Sequence, residues 1–188
     1  AYKTEVEEFN EPGGMMDQYS TAIGNLIYLE SEPTLSIKTL NPNLGAFVLG
    51  DSCEPKDTMG ILSRCRETRL ELFEVLKNMN PNMDIHTCSD DLDLSDLNEH
   101  QKTLFHGTVK NRDLLNGALG ELEKDEIDHK KIGQYLNKHH SVLRDVLQVS
   151  TSKIEFMMDA AQNAGALGGK INGSGGGGCM FAYAPENP

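Results

Sequence analysis

Hydrophobic and polar positions change their spacing three times along the chain. Residues 25–30 (Asn-Leu-Ile-Tyr-Leu-Glu) read as a short strand, and residues 34–40 alternate apolar and polar with period two, the pattern of a half-buried strand. Glu32-Pro33 supplies the turn between them. The apolar run at 46–50 predicts a buried strand. From 57 to 79 the period lengthens: Leu62, Leu70, Leu72, Phe73, Leu76 and Met79 recur mostly at three- and four-residue spacing, with Arg64, Arg66, Glu67, Arg69 and Glu71 between them. This predicts an amphipathic helix ended by Asn80-Pro81. A second helix is expected over 97–122 with Asp96 as its cap, and a third from 127 to about 147. A fourth, over 152–164, is capped by Ser150 or Thr151 and stopped by Gly165. Two short strands are expected on either side of a glycine-rich run near the end.

Strand patterning at the two ends with helical period between them predicts an α+β fold. Over residues 45–188, an antiparallel sheet built from 46–50 and the two strands around the glycine run would pack against four helices. Residues 1–44 stand apart from this pattern.

Composition narrows the class. The chain has 188 residues, 38% hydrophobic and 24% charged, the balance of a globular protein. A formal net charge of −12 argues against a general nucleic-acid binder. The acidic stretches 90–96 and 121–128 read as solvated surface. No apolar run of membrane-spanning length occurs, and no basic-then-apolar leader opens the sequence, so no membrane association and a cytoplasmic location are expected. Cys53, Cys65, Cys88 and Cys179 are widely spaced and form no CxxC pair, as in reduced thiols. The histidines form no metal constellation, because the adjacent His139 and His140 point about 100° apart on a helix. No metal ligands are assigned.

Two segments carry candidate chemistry. The first is the run from Gly168 to Gly178, Gly-Gly-Lys-Ile-Asn-Gly-Ser-Gly-Gly-Gly-Gly. Glycine weakens secondary structure, so such a run fits where backbone must approach something closely or adopt positive φ. A dinucleotide fingerprint needs a helix after the glycines, whereas the segment 179–184 here is short and stops at Pro185. A strand–loop–strand hairpin fits better, and its amides could cradle an anion. The second segment is Pro12-Gly13-Gly14-Met15-Met16-Asp17-Gln18, a chain break running into a short amphipathic turn. Asp17 there reads either as an N-cap, worth about 1 kcal/mol, or as a carboxylate placed to accept a proton.

Taken together, these segments resemble the GHMP small-molecule kinases, in particular the galactokinase branch. Gly13-Gly14-Met15-Met16-Asp17-Gln18 is similar to that branch's Gly-x-Met-Asp-Gln segment, and 169–179 is similar to the family's late glycine-rich motif. Between them, Leu136-Asn137-Lys138-His139-His140-Ser141-Val142-Leu143-Arg144-Asp145 with Val149-Ser150 resembles the galactokinase pattern Met-Asn-x-x-His-x-x-Leu-Arg-Asp…Val-Ser. The three matches occur in the family's order. The stretch 59–66 has no tyrosine where galactokinases carry a sugar-contacting one, which leaves another sugar open.

The resemblance implies an ATP- and Mg²⁺-dependent transferase that phosphorylates a monosaccharide at its anomeric hydroxyl, with sugar and ATP as its small-molecule partners. Asp17 would be the catalytic carboxylate. Gly14, Met16, Asp17 and Gly173 would line the substrate site, and Gly173, Ser174, Gly175, Gly176 and Gly177 would support the phosphates. Residues 45–188 would be the C-terminal domain and 1–44 the end of the N-terminal domain, the family's ATP phosphate loop lying upstream. On that reading the chain alone is expected to be inactive, and apolar residues of the first 44, among them Ile23, Leu26, Ile27, Leu29 and Leu35, to favour self-association. A non-catalytic sugar and nucleotide sensor, or another GHMP kinase such as a mevalonate or heptose kinase, are the alternatives.

Overall fold

The computed structural model describes residues 2–9 and 14–186; Pro12 and Gly13 of the N-terminal break lie outside these. After a short π-helical turn, Lys3–Glu8, the elements are α1 (Met16–Ile23), β1 (Leu26–Glu30), β2 (Ser36–Leu40), β3 (Phe47–Asp51) and α2 (Thr58–Met79). Then follow α3 (Glu99–Leu122), α4 (His129–Asp145), α5 (Ser152–Asn163), β4 (Gly168–Ile171) and β5 (Cys179–Tyr183). Strands β1 and β2 form an antiparallel hairpin with Leu26 opposite Leu40. A separate antiparallel sheet has the order β3-β5-β4, so the last strand in sequence is central. The α+β class, with helices on small antiparallel sheets, is as the sequence predicts.

Helices α2 to α5 each start where a side chain can accept from their open amides, whereas α1 follows Met15 without a side-chain cap. Asp57 takes the Gly60 amide at 2.9 Å, Asp128 takes those of Lys130 and Lys131, and Thr151 takes that of Ile154. The α3 cap is Asn98, not Asp96. Asn98 and Gln101 form a reciprocal capping box, which Asp96 cannot join because Leu94 and Leu97 are drawn into the core.

Two apolar clusters hold the fold. Leu72 and Leu76 of α2, Leu104, Phe105 and Val109 of α3, and Leu147 and Val149 after α4 make the larger one. Ile154 and Met158 of α5 pack on Ile171, Met180 and Ala182 to make the other. Leu70 faces solvent, 55% exposed.

Two burial expectations fail. Strand β3 is not buried: Phe47, Val48 and Leu49 are 45%, 41% and 66% exposed. It is an edge strand, and α5 packs over β5 and β4 rather than over β3. An apolar run reports sheet propensity without saying which layer covers it. Within the acidic stretch 121–128, Glu121 is buried. It accepts from Lys124 at 2.6 Å and from the Asp128 amide at 2.9 Å, which closes the α3–α4 turn. The Lys124 ammonium, followed by the Asp128 amide, holds the Glu121 carboxyl below its ordinary range. No helix among the described residues is long and apolar enough to cross a membrane, and their four cysteines are unpaired.

Candidate active site

Helix α4 lies along the outer edge of β4, and glycines set how closely. A Cβ on Gly168 would fall 2.1 Å from the Gly133 carbonyl oxygen, and one on Gly133 would fall 2.3 Å from that of Leu167. Backbone therefore meets backbone, and the outward amides of β4 need acceptors. Asn137 Oδ1 accepts the Gly169 amide at 3.0 Å, and His140 Nδ1 accepts the Ile171 amide at 3.2 Å. These two side chains sit three residues apart on one face of α4, matching alternate residues of the strand.

His140 continues the chain of contacts. With Nδ1 accepting, its proton is on Nε2 and goes to Glu155 Oε1 at 2.8 Å. Glu155 also accepts from the Ser150 hydroxyl, and from Arg144 Nη1 at 3.2 Å. Burial pushes the Glu155 carboxyl up, but the hydrogen bonds from Ser150, His140 and Arg144 outweigh it and hold the group below its ordinary range. The motif residues Asn137, His140, Arg144 and Ser150 are thus a brace between α4, α5 and β4.

The glycine loop between β4 and β5 rests on that brace. The Gly176 amide donates to the Val149 carbonyl, next to Ser150, at 2.6 Å. On the other side Gly178 donates to the Glu54 carbonyl at 3.2 Å, and its own carbonyl accepts the Ser52 amide at 2.8 Å. Gly173 and Gly175 to Gly178 all have positive φ, from 68° to 119°. Gly175 is the tightest: a Cβ there would meet the Val149 oxygen at 2.4 Å. Among the described residues the amides of Gly173, Ser174, Gly175 and Gly177 make no hydrogen bond, and the buried Ser174 hydroxyl has none either. The Gly176 amide, expected among the phosphate donors, is instead turned to Val149.

Residues from both ends of the sequence meet in one cavity of about 370 Å³. Gly14, Met16 and Asp17 from the start of the chain, Lys56, Thr58 and Met59 from the entry to α2, and Gly173 and Ser174 of the glycine loop all line it. Gly175, Gly176 and Gly177 are not among its lining residues. Asp17 is exposed on the first turn of α1, whose N-cap is Met15, so Asp17 is not the cap. Its carboxylate is the one acidic group among the lining residues. A roomier hollow of about 870 Å³ lies between residues 38–43 and 122–129, where Glu123, Asp125 and Glu126 line it and no glycine-loop amide reaches.

Lys56 escaped the sequence reading. Its Nζ lies 3.6 Å from where a Cβ on either Gly173 or Gly178 would sit, so it rests against the loop. Among the described residues it joins no ion pair. It lies in the connection 52–57 between β3 and α2, where no local sequence signal marks it. The described residues bring no three His, Cys, Asp or Glu together as metal ligands.

Residues 118–188 match the family described as GHMP kinases C terminal. Mevalonate kinase of Thermococcus gammatolerans is 30% identical over 171 residues, covering 91% of this chain and 42% of the relative. Galactokinase of Staphylococcus saprophyticus is 25% identical over 185 residues, covering 93% of this chain and 47% of the relative. The chain therefore spans less than half the length of these curated relatives. Its fold is that of Lactococcus lactis galactokinase complexed with galactose, with a TM-score of 0.78 and 21% identity over 97% of this chain and 49% of that one. Residues 118–188 thus carry the C-terminal domain of the GHMP kinases, and the chain as a whole is similar to both mevalonate kinase and galactokinase.

Proposed function

We propose that this chain supplies the acceptor-side half of an ATP-dependent phosphotransferase acting on a small hydroxylated substrate. The observation that carries this reading is the cavity that Asp17 lines together with Gly173 and Ser174. A phosphoryl transfer needs little covalent chemistry from the protein; it needs the acceptor hydroxyl aligned and the phosphate charge met. Asp17 can take the hydroxyl proton or orient it. The unpartnered amides of Gly173 and Ser174 and the Ser174 hydroxyl are donors of the kind that meet phosphate oxygens. Mg²⁺ entering with ATP would screen the remaining charge. Residues 1–44 belong, on this reading, to the end of the family's N-terminal domain, and 45–188 to its C-terminal domain.

The favoured acceptor is a monosaccharide phosphorylated at the anomeric hydroxyl, in line with the galactokinase motif spelling around Asp17. The second acceptor is mevalonate, favoured by the higher identity of the mevalonate kinase relative. ADP release from the intact enzyme, measured with galactose and with mevalonate, decides between them. Asp17→Asn should lower kcat by about 10²–10⁴-fold without moving the melting temperature, because the carboxylate is exposed. ATP-dependent phosphorylation of neither acceptor, or an Asp17→Asn enzyme with wild-type turnover, would sink the reading.

A further inference from the structure

We propose that Lys56 receives an anionic oxygen of the ligand in the cavity between Asp17 and the glycine loop, and so selects for a charged group at that point. The inference rests on the phosphoryl-transfer reading and adds to it a specificity-determining residue.

Four observations converge. Among the described residues lining the cavity Lys56 is the one cation, and Asp17 lines the same cavity. In a chain of net charge −12, an anion entering there needs a local positive partner. Lys56 lies against the glycine loop, its Nζ at contact distance, 3.6 Å, from where a Cβ on either Gly173 or Gly178 would sit. On the loop side the Ser174 hydroxyl and the Gly173 and Ser174 amides have no partner among the described residues, so the donors point to an acceptor from outside.

The base of Lys56 is also fixed. Glu54 and Ser52 are tied to Gly178 by the two backbone bonds described above, and Glu54 Oε2 accepts from Thr151 at 2.6 Å. On the other side Asp57 caps α2. Lys56 therefore spans a short distance between two anchored points, and its charge is delivered to one place. A charged hydrogen bond made there is stronger than a neutral one.

Two sources share this chemistry: the terminal phosphate of the nucleotide and a carboxylate on the acceptor. Isothermal titration of the 188-residue chain with tripolyphosphate, mevalonate and galactose separates them. For the nucleotide source, Lys56→Met weakens tripolyphosphate binding by about tenfold or more, Lys56→Arg restores most of it, and galactose binding does not change. For the acceptor source, the same loss and rescue fall on mevalonate instead. The proposal is overturned if both anions change by less than about twofold, the scale of a screened surface charge. It is equally overturned if galactose binding falls as much as theirs, or if the unsubstituted chain binds neither anion. These are binding measurements, so a failure of the kinase reading, seen as absent ADP release from the intact enzyme, stays distinguishable from a failure here.

Discussion

The two hairpins of this molecule are alike in connectivity and opposite in circumstance. In β1–β2, the sequence alternates as a strand should, yet Leu40 is the only fully buried apolar side chain among the described residues before Leu72. In β4–β5, the first strand is Gly-Gly-Lys-Ile, poor in strand formers, yet Gly168, Gly169 and Ile171 are all buried. The first hairpin has side chains suited to a cover and little cover; a surface ion pair, Lys38 to Glu123 at 2.7 Å, ties it to the end of α3. The second has few side chains, and a helix backbone takes their place. Burial in this fold follows what the neighbouring element can approach, more than the apolar character of the strand itself.

A matched pair of glycines gives the largest test of that contrast. Gly24, before β1, and Gly175, in the loop, have nearly equal φ of 77° and 80°. A Cβ on Gly24 meets nothing within 4 Å, whereas one on Gly175 meets the Val149 oxygen at 2.4 Å. Gly175→Ala should cost about 2–5 kcal/mol from strain plus overlap, and Gly24→Ala about 1–3 kcal/mol from strain alone. Urea unfolding of the two variants checks this; equal losses would mean the loop yields as freely as the exposed turn.

Next in size is His140→Leu, which leaves the Ile171 amide without its acceptor and Glu155 without one donor. A loss of about 1–3 kcal/mol is expected. Faster hydrogen exchange at the Ile171 amide would mark the brace as its cause. An unchanged exchange rate there would show that α4 shields the β4 edge without help from the imidazole.

A pH titration of stability probes the same wall. Burial, then the nearby charges of Lys170 and Arg69, push His139 down from 6.5 to about 4. The unfolded chain therefore binds a proton that the folded chain refuses. Stability contributed by this residue is complete above pH 6.5 and falls as pH drops toward 4, with a slope of about 1.4 kcal/mol per unit. His139→Gln should flatten that slope. The smallest effect is expected in the open hairpin, where Leu35 is 42% exposed. Leu35→Ala should stay within about 0.5 kcal/mol, and a loss comparable to that of His140→Leu would show an unrecognised cover over β1–β2.

Much of this architecture was legible before any coordinates. Helical periodicity is repeated over many residues, so α2, α3, α4 and α5 stand out, and Asp57 and Thr151 announce their starts. The glycine run and the Asp17 segment could be singled out because their residue types are costly or reactive wherever they occur. Other features depend on distant neighbours. Asn98 displaced Asp96 as a cap because Leu94 and Leu97 turn inward, and Glu121 is buried because Lys124 and the start of α4 close over it. Nothing local distinguishes Lys56 from any surface lysine; the glycine loop, more than a hundred positions later, gives it its setting.

The placement of β5 at the centre of its sheet bears on how the chain acquires its fold. Phe47 pairs with Tyr183, so the first and last strands of this sheet join across nearly the whole intervening sequence. During synthesis the helices between them can form from local contacts, while β3 and β4 wait for a partner that emerges after both. Such non-local closure slows folding and prolongs the exposure of unpaired edges. A ribosome stalled before Cys179 would present β3 with both of its edges unpaired, where the finished fold leaves one of them joined to β5.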